Sequence, residues 1–64
     1  MEFYECMKKL SRPARSALEE EGIDSFEKLA SLRKEELLSL HGIGPHSLPV
    51  VIECLKTVGL KLRE

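Results

Sequence analysis

Long hydrophobic runs are missing from this chain, and none approaches the roughly 20 residues needed to cross a bilayer. Nothing near Met1 resembles a signal peptide, because the opening MEFYECMKKL interrupts its apolar residues with Glu2, Glu5, Lys8 and Lys9. These two absences lead us to expect a soluble, cytoplasmic protein with no membrane partner. Cysteine is scarce. Cys6 and Cys54 have no CxxC spacing, and His41 and His46 are not at zinc-finger spacing, so neither a metal site nor a cofactor is expected. A disulfide would require an oxidising compartment, which leaves two reduced thiols, in the core or at the surface. Length is short as well: 64 residues allow one domain, 1–64, with a helix or arm over 1–11 and a core over 12–63. A chain of this size seldom encloses a substrate together with a catalytic group. His46 and Ser47 are neighbours rather than a base placed opposite a nucleophile, so no catalytic residue is assigned and an enzyme is not expected.

Excess charge is the next absence. A net charge of −1 argues against a strongly basic, indiscriminate nucleic-acid binder. The distribution is less even than the total. Lys8, Lys9, Arg12 and Arg15 supply four positive charges with no acid among residues 8–15, and Glu19, Glu20 and Glu21 follow directly. A local patch of this kind attracts phosphate even in a slightly acidic chain, whereas charge alone fits a solvated face equally well.

Period-two alternation is not sustained anywhere, and β-branched residues cluster only at Val50, Val51 and Ile52. The expected fold is therefore all-α, a compact bundle of four to five short helices. Ser11 is placed to cap a helix over about Pro13 to Glu21 that turns Ala14, Ala17 and Leu18 inward and stops at Gly22. Asp24 with Glu27 has the form of a capping box opening a short helix with Phe26, Leu29 and Ala30 inside. Lys34 to Leu40 reads as a third helix with Leu37, Leu38 and Leu40 on its apolar face. The last helix starts near Pro45 to Leu48, buries Leu48, Val51, Ile52 and Leu55, and ends at Gly59. The alternating Leu60 and Leu62 then fit an extended tail over the core, while Phe3, Tyr4 and Leu10 fit an N-terminal helix or arm that caps the bundle.

The segment HGIGPHSLP is the most informative stretch. Ile43 lies inward between Gly42 and Gly44, which are expected to take backbone angles denied to other residues. The amides of such a turn and of the helix after it lack internal partners at a positive dipole end, where an anion is favoured. Pro49 complicates that helix. A regular start at Pro45 would deprive the carbonyl of Pro45 of its donor, so either the helix begins two or three residues late, with Ser47 as its cap, or it kinks.

LLSLHGIGPHSL resembles the helix-hairpin-helix motif: an aliphatic, a glycine, an aliphatic and a glycine ahead of a helix. From about Arg12 to Arg63 the chain is similar to the C-terminal domain of the bacterial RNA polymerase alpha subunit and its small free-standing relatives. Leu18, Ile23, Leu29, Leu37, Leu38, Ile43, Gly44, Ser47, Leu48, Leu55, Gly59 and Leu60 fall in register. The resemblance implies a DNA-binding domain that grips the duplex backbone across the minor groove, acts in transcription or other DNA transactions, and offers a docking surface to regulatory proteins. Carried onto this chain, the hairpin contacts are Gly44, Pro45, His46 and Ser47; the turn itself adds Gly42, and the basic segment adds Lys8, Lys9, Arg12 and Arg15 to the residues expected to meet DNA. Pro13 occupies the slot where that domain has a groove-seeking arginine, with Arg12 and Arg15 on either side. Pro45 and His46 replace residues that are commonly basic there. A histidine is mostly neutral near pH 7, so any grip from His46 strengthens as the pH falls.

The function expected on these grounds is weak, largely sequence-independent binding of double-stranded DNA in the cytoplasm or on a nucleoid. One alternative is an adaptor of the same fold that has lost DNA binding. It would dock on a transcription or repair protein through Glu19–Glu21 or through an apolar patch around Phe3 and Tyr4. Another is a hairpin that serves only as a core turn. Monomer and dimer are equally open.

Overall fold

The computed structural model of the chain describes Met1–Arg63. Five helices follow one another: α1 (Phe3–Lys9), α2 (Arg12–Glu20), α3 (Phe26–Ala30), α4 (Lys34–Ser39) and α5 (Ser47–Thr57). No strand forms among the described residues, and the single bridge is a parallel pairing of Arg33 with Arg63. The all-α bundle expected from the apolar spacing is the observed architecture, at the upper end of the expected helix count.

Short helices leave many end groups unpaired, so their caps matter. The Ser11 hydroxyl accepts from the Ala14 amide at 3.4 Å and opens α2, whose second residue is Pro13. At α3 the cap is Ser25, whose hydroxyl accepts from the Lys28 amide at 3.2 Å. The capping box expected of Asp24 does not form. Asp24 lies one residue too early to reach the first turn and instead pairs with Lys28 at 3.0 Å, with both side chains exposed. The Glu5 carboxylate accepts from the Glu2 amide ahead of α1, and that of Glu36 from the Arg33 amide ahead of α4. Helix α5 closes on Gly59: Gly59 N donates to the Lys56 carbonyl and Leu60 N to that of Leu55, the paired bonds of a Schellman stop.

Leu18, Leu29, Leu37, Val51 and Leu55 are fully buried together with Cys6, Cys54 and Ala14. Phe3 meets Phe26 edge to face at 5.3 Å, so α1 caps the bundle as expected. The tail lies over the core, with Leu60 and Leu62 packed against it and Arg63 N donating to the Leu32 carbonyl at 2.9 Å.

Two apolar residues assigned inward, Leu38 and Ile52, are exposed, and so is Tyr4 of the capping helix. Tyr4 sits one step off the stripe formed by Phe3, Cys6 and Met7, and Lys8 Nζ lies 4.7 Å over its ring. Leu38 is the neighbour of the buried Leu37 on a six-residue helix that has only one covered face. Ile52 is 42% exposed because Val51, Cys54 and Leu55 take the inner stripe of α5. A helix of this bundle buries one narrow stripe, and adjacent apolar residues cannot share it.

Candidate nucleic-acid interface

Two consecutive turns connect α4 to α5. Ile43 N donates to the Leu40 carbonyl at 3.1 Å and closes the first, whose third residue, Gly42, has φ +101°. That position favours glycine. Ser47 N donates to the Gly44 carbonyl at 3.0 Å and closes the second, with Pro45 in the second place, where its fixed φ fits, and His46 at φ −70°, ψ −27°. Ile43, between the turns, is buried. The special backbone angle expected at Gly44 is absent. Gly44 lies outside the positive-φ region, and a Cβ there would meet nothing within 4 Å.

Of the two alternatives that Pro49 leaves open, a late start and a kink, the late start is the observed one. Helix α5 begins at Ser47, which makes Pro49 its third residue, where no bond within the helix is asked of its nitrogen. The cap is His46 rather than Ser47, and the Ser47 side chain is buried.

Gly42 does more than turn the chain. A Cβ at Gly42 would lie 2.5 Å from the Pro13 carbonyl oxygen and 3.5 Å from the Ala17 Cβ, so the hairpin rests directly on the first turn of α2. The start of α2 and the start of α5 therefore flank one hairpin. Each carries the partial positive charge of a helix N-terminus. Among the described residues, the amides of Gly44 and His46 donate to no backbone carbonyl, while Pro45, His46 and Arg12 are exposed.

The nine residues assigned from sequence fall into three groups. Gly42, Gly44, Pro45, His46 and Ser47 form the hairpin and first turn of α5, with Arg12 brought to them through its neighbour Pro13. Lys9 shares a separate surface depression with Pro49, Val50, Glu53 and Cys54, beside the first half of α5. Lys8 and Arg15 lie elsewhere, in a hollow lined by Phe3, Tyr4, Met7, Glu19 and Asp24. Their position there follows from helix geometry: Arg15 faces α1, whereas Pro13 and Ala17 face the hairpin.

Sequence reading missed a second collection of cations. Lys34, Lys56, Lys61 and Arg63 border a groove with Ile52, Leu60 and Leu62, although they are scattered over three segments of chain. Only the one-turn spacing of Ile52 and Lys56 was available to signal it. Cys6 and Cys54, distant in sequence, meet in the core as free thiols. Burial, followed by the hydrogen bond and the charge of Cys54, pushes the Cys6 thiol up to about 12, against a lowering pull from Lys9.

Among the described residues, no group of three or more histidine, cysteine or acidic side chains is arranged to hold a metal ion, and no helix is long and apolar enough to cross a membrane. No family model, curated protein or solved structure matches the chain.

Proposed function

We propose that this protein is a small DNA-binding module that holds the duplex backbone weakly and with little sequence preference, using the hairpin from Gly42 to Ser47 flanked by Arg12 and Lys9. The observation that carries this reading is the seat of Gly42 on the Pro13 carbonyl, which brings the first turn of α2, where Arg12 is exposed, against the hairpin that leads into α5. A phosphate there meets the amides of Gly44 and His46 and the starts of two helices, each of which favours an anion. The likeness to the helix-hairpin-helix domain of the polymerase alpha subunit supports the same face and a role in transcription or related DNA transactions.

The proposed contact is narrower than the full set of cations between Lys8 and Arg15. Arg12 adjoins Pro13, on which the hairpin rests, and Lys9 lies beside Pro49 and Val50 of α5 together with Glu53, whereas Arg15 and Lys8 lie in a hollow that holds Glu19 and Asp24. Two neutralised phosphates correspond to a slope of about −2 in log affinity against log salt. Binding is thus detectable at low salt and faint near physiological salt.

Fluorescence anisotropy of a labelled duplex tests the reading. Arg12→Ala and Lys9→Ala are each expected to weaken binding and to flatten the salt slope by about 1, with Arg15→Ala close to wild type. Wild-type affinity in the Arg12→Ala, Lys9→Ala double variant would refute it.

A further inference from the structure

A second face of the molecule lies outside the hairpin. The groove between α4, α5 and the C-terminal tail has a floor of Ile52, Leu60 and Leu62 and a border of Lys34, Lys56, Lys61 and Arg63. Glu35 is the one carboxylate that lines it among the described residues. The whole chain has 10 basic residues against 11 acidic ones, whereas Lys34, Lys56 and Arg63 share this lining with one acid among the described residues.

The groove is built from fixed parts. Ile52 and Lys56 are one turn apart on α5 and present a single face. The Schellman stop at Gly59 turns the chain back, and the bond from Arg63 N to the Leu32 carbonyl pins the tail beside the start of α4. Ile52 remains 42% exposed at the bottom, an aliphatic side chain that the fold does not cover.

We propose that this groove is a docking site for an acidic protein segment that inserts aliphatic side chains against Ile52 and Leu62 and sets its carboxylates against the surrounding lysines and arginine. Charge complementarity selects the sign of the partner: a basic segment would meet like charges at Lys34, Lys56 and Arg63, and an acidic one meets opposite charges there. The floor selects its class. Sequence-tolerant binding of single-stranded nucleic acid relies on aromatic side chains that stack on bases, and this floor is aliphatic throughout. An amphipathic segment laid into an apolar groove answers both features. The proposal stands independently of DNA binding, which uses the opposite end of α5.

The test is a titration of isotope-labelled protein, followed by its amide shifts, with a peptide of about 16 residues made only of Leu, Glu and Asp, its leucines at three- and four-residue spacing. Saturable shifts confined to Lys34, Ile52, Lys56 and Leu60 to Arg63 are expected. Binding should weaken by at least about 10-fold in Ile52→Asp and in Lys56→Glu, two exposed positions whose replacement leaves the core intact. A purely acidic peptide without leucines should bind at least about 10-fold more weakly than the probe.

The proposal fails if the leucine peptide gives no shifts at millimolar concentration or if the purely acidic peptide binds equally well. It also fails if a DNA duplex perturbs this groove in preference to the peptide. Concentration-dependent shifts of the same amides in the protein alone would assign the groove to a second copy and overturn it as well. Because the hairpin amides report the duplex in the same spectra, loss of one interaction is read separately from loss of the other.

Discussion

Replacing Gly42 by alanine perturbs the joint on which the proposed DNA face depends. Two costs add. At φ +101° an L-residue occupies a sparsely populated region, at about 1–3 kcal/mol. The new Cβ also lands 2.5 Å from the Pro13 carbonyl oxygen, a backbone atom that gives way only if the hairpin and α2 separate. Overpacking of this kind costs about 1–3 kcal/mol. The sum, about 2–6 kcal/mol, compares with a total stability of about 3–10 kcal/mol for a chain of this length. At about 4–8 °C per kcal/mol, Tm should fall by at least about 8 °C. Gly44→Ala is the matched control, two residues away, with an ordinary φ and open space at its Cβ. There the main effect is a less flexible unfolded chain, a gain of about 0.4–1 kcal/mol. Thermal and urea unfolding followed by circular dichroism distinguish the two. Equal stability of the two variants, or a Gly42→Ala protein within about 0.5 kcal/mol of wild type, would refute the close approach of hairpin and helix.

Three further outcomes follow from the caps, the proline and the paired thiols. Ser25→Ala should cost about 1 kcal/mol in urea unfolding, whereas Asp24→Ala, which removes only an exposed ion pair, should cost less than about 0.5 kcal/mol; the reverse order would restore Asp24 as the cap. Pro49→Ala should change stability by less than about 1 kcal/mol because Pro49 occupies the first turn of α5, while Val51→Pro, inside the same helix, should cost about 3 kcal/mol or more. The Cys6 thiol is raised in the folded state from 9.0 to about 12, so above pH 9 the unfolded chain releases a proton that the folded chain retains. Stability should be fully present below pH 9 and decline as the pH rises from 9 towards 12, and urea midpoints in Cys6→Ala should show a shallower decline. An identical slope in the variant would place the titration elsewhere.

Much of the fold was legible because local signals and burial agree. Ser11 as cap, Gly22 and Gly59 as stops, and the inward Ala14, Ala17, Leu18, Leu29, Leu37, Val51 and Leu55 all follow from spacing and end chemistry. The misplaced residues share one cause: where two apolar residues adjoin on a short helix, tertiary packing chooses between them, and Leu38 and Ile52 were the ones left outside. Asp24 and Ser25 illustrate the same limit at a cap, since both are good cap residues and only the first helical residue, Phe26, decides between them.

The candidate site was half legible. The hairpin could be read from Gly42, and Pro49 narrowed the opening of α5 to a late start or a kink, because glycine and proline restrict the backbone directly. Which cations stand beside the hairpin could not, because that depends on α2 rotating Pro13 and Ala17 towards Gly42 and Arg15 towards α1. The lysine-lined groove was invisible for the same reason: its border joins α4, α5 and the tail, and only the folded chain brings Lys34 near Arg63.

The measurement closest to the central claim is an amide-shift titration of the labelled protein with a short duplex, at low salt and again near physiological salt. Shifts concentrated at Gly42 to Leu48, Arg12 and Lys9, and diminished by salt, are the predicted result. No shifts at low salt, or shifts confined to the hollow around Lys8 and Arg15, would contradict it and leave the hairpin as a joint between helices.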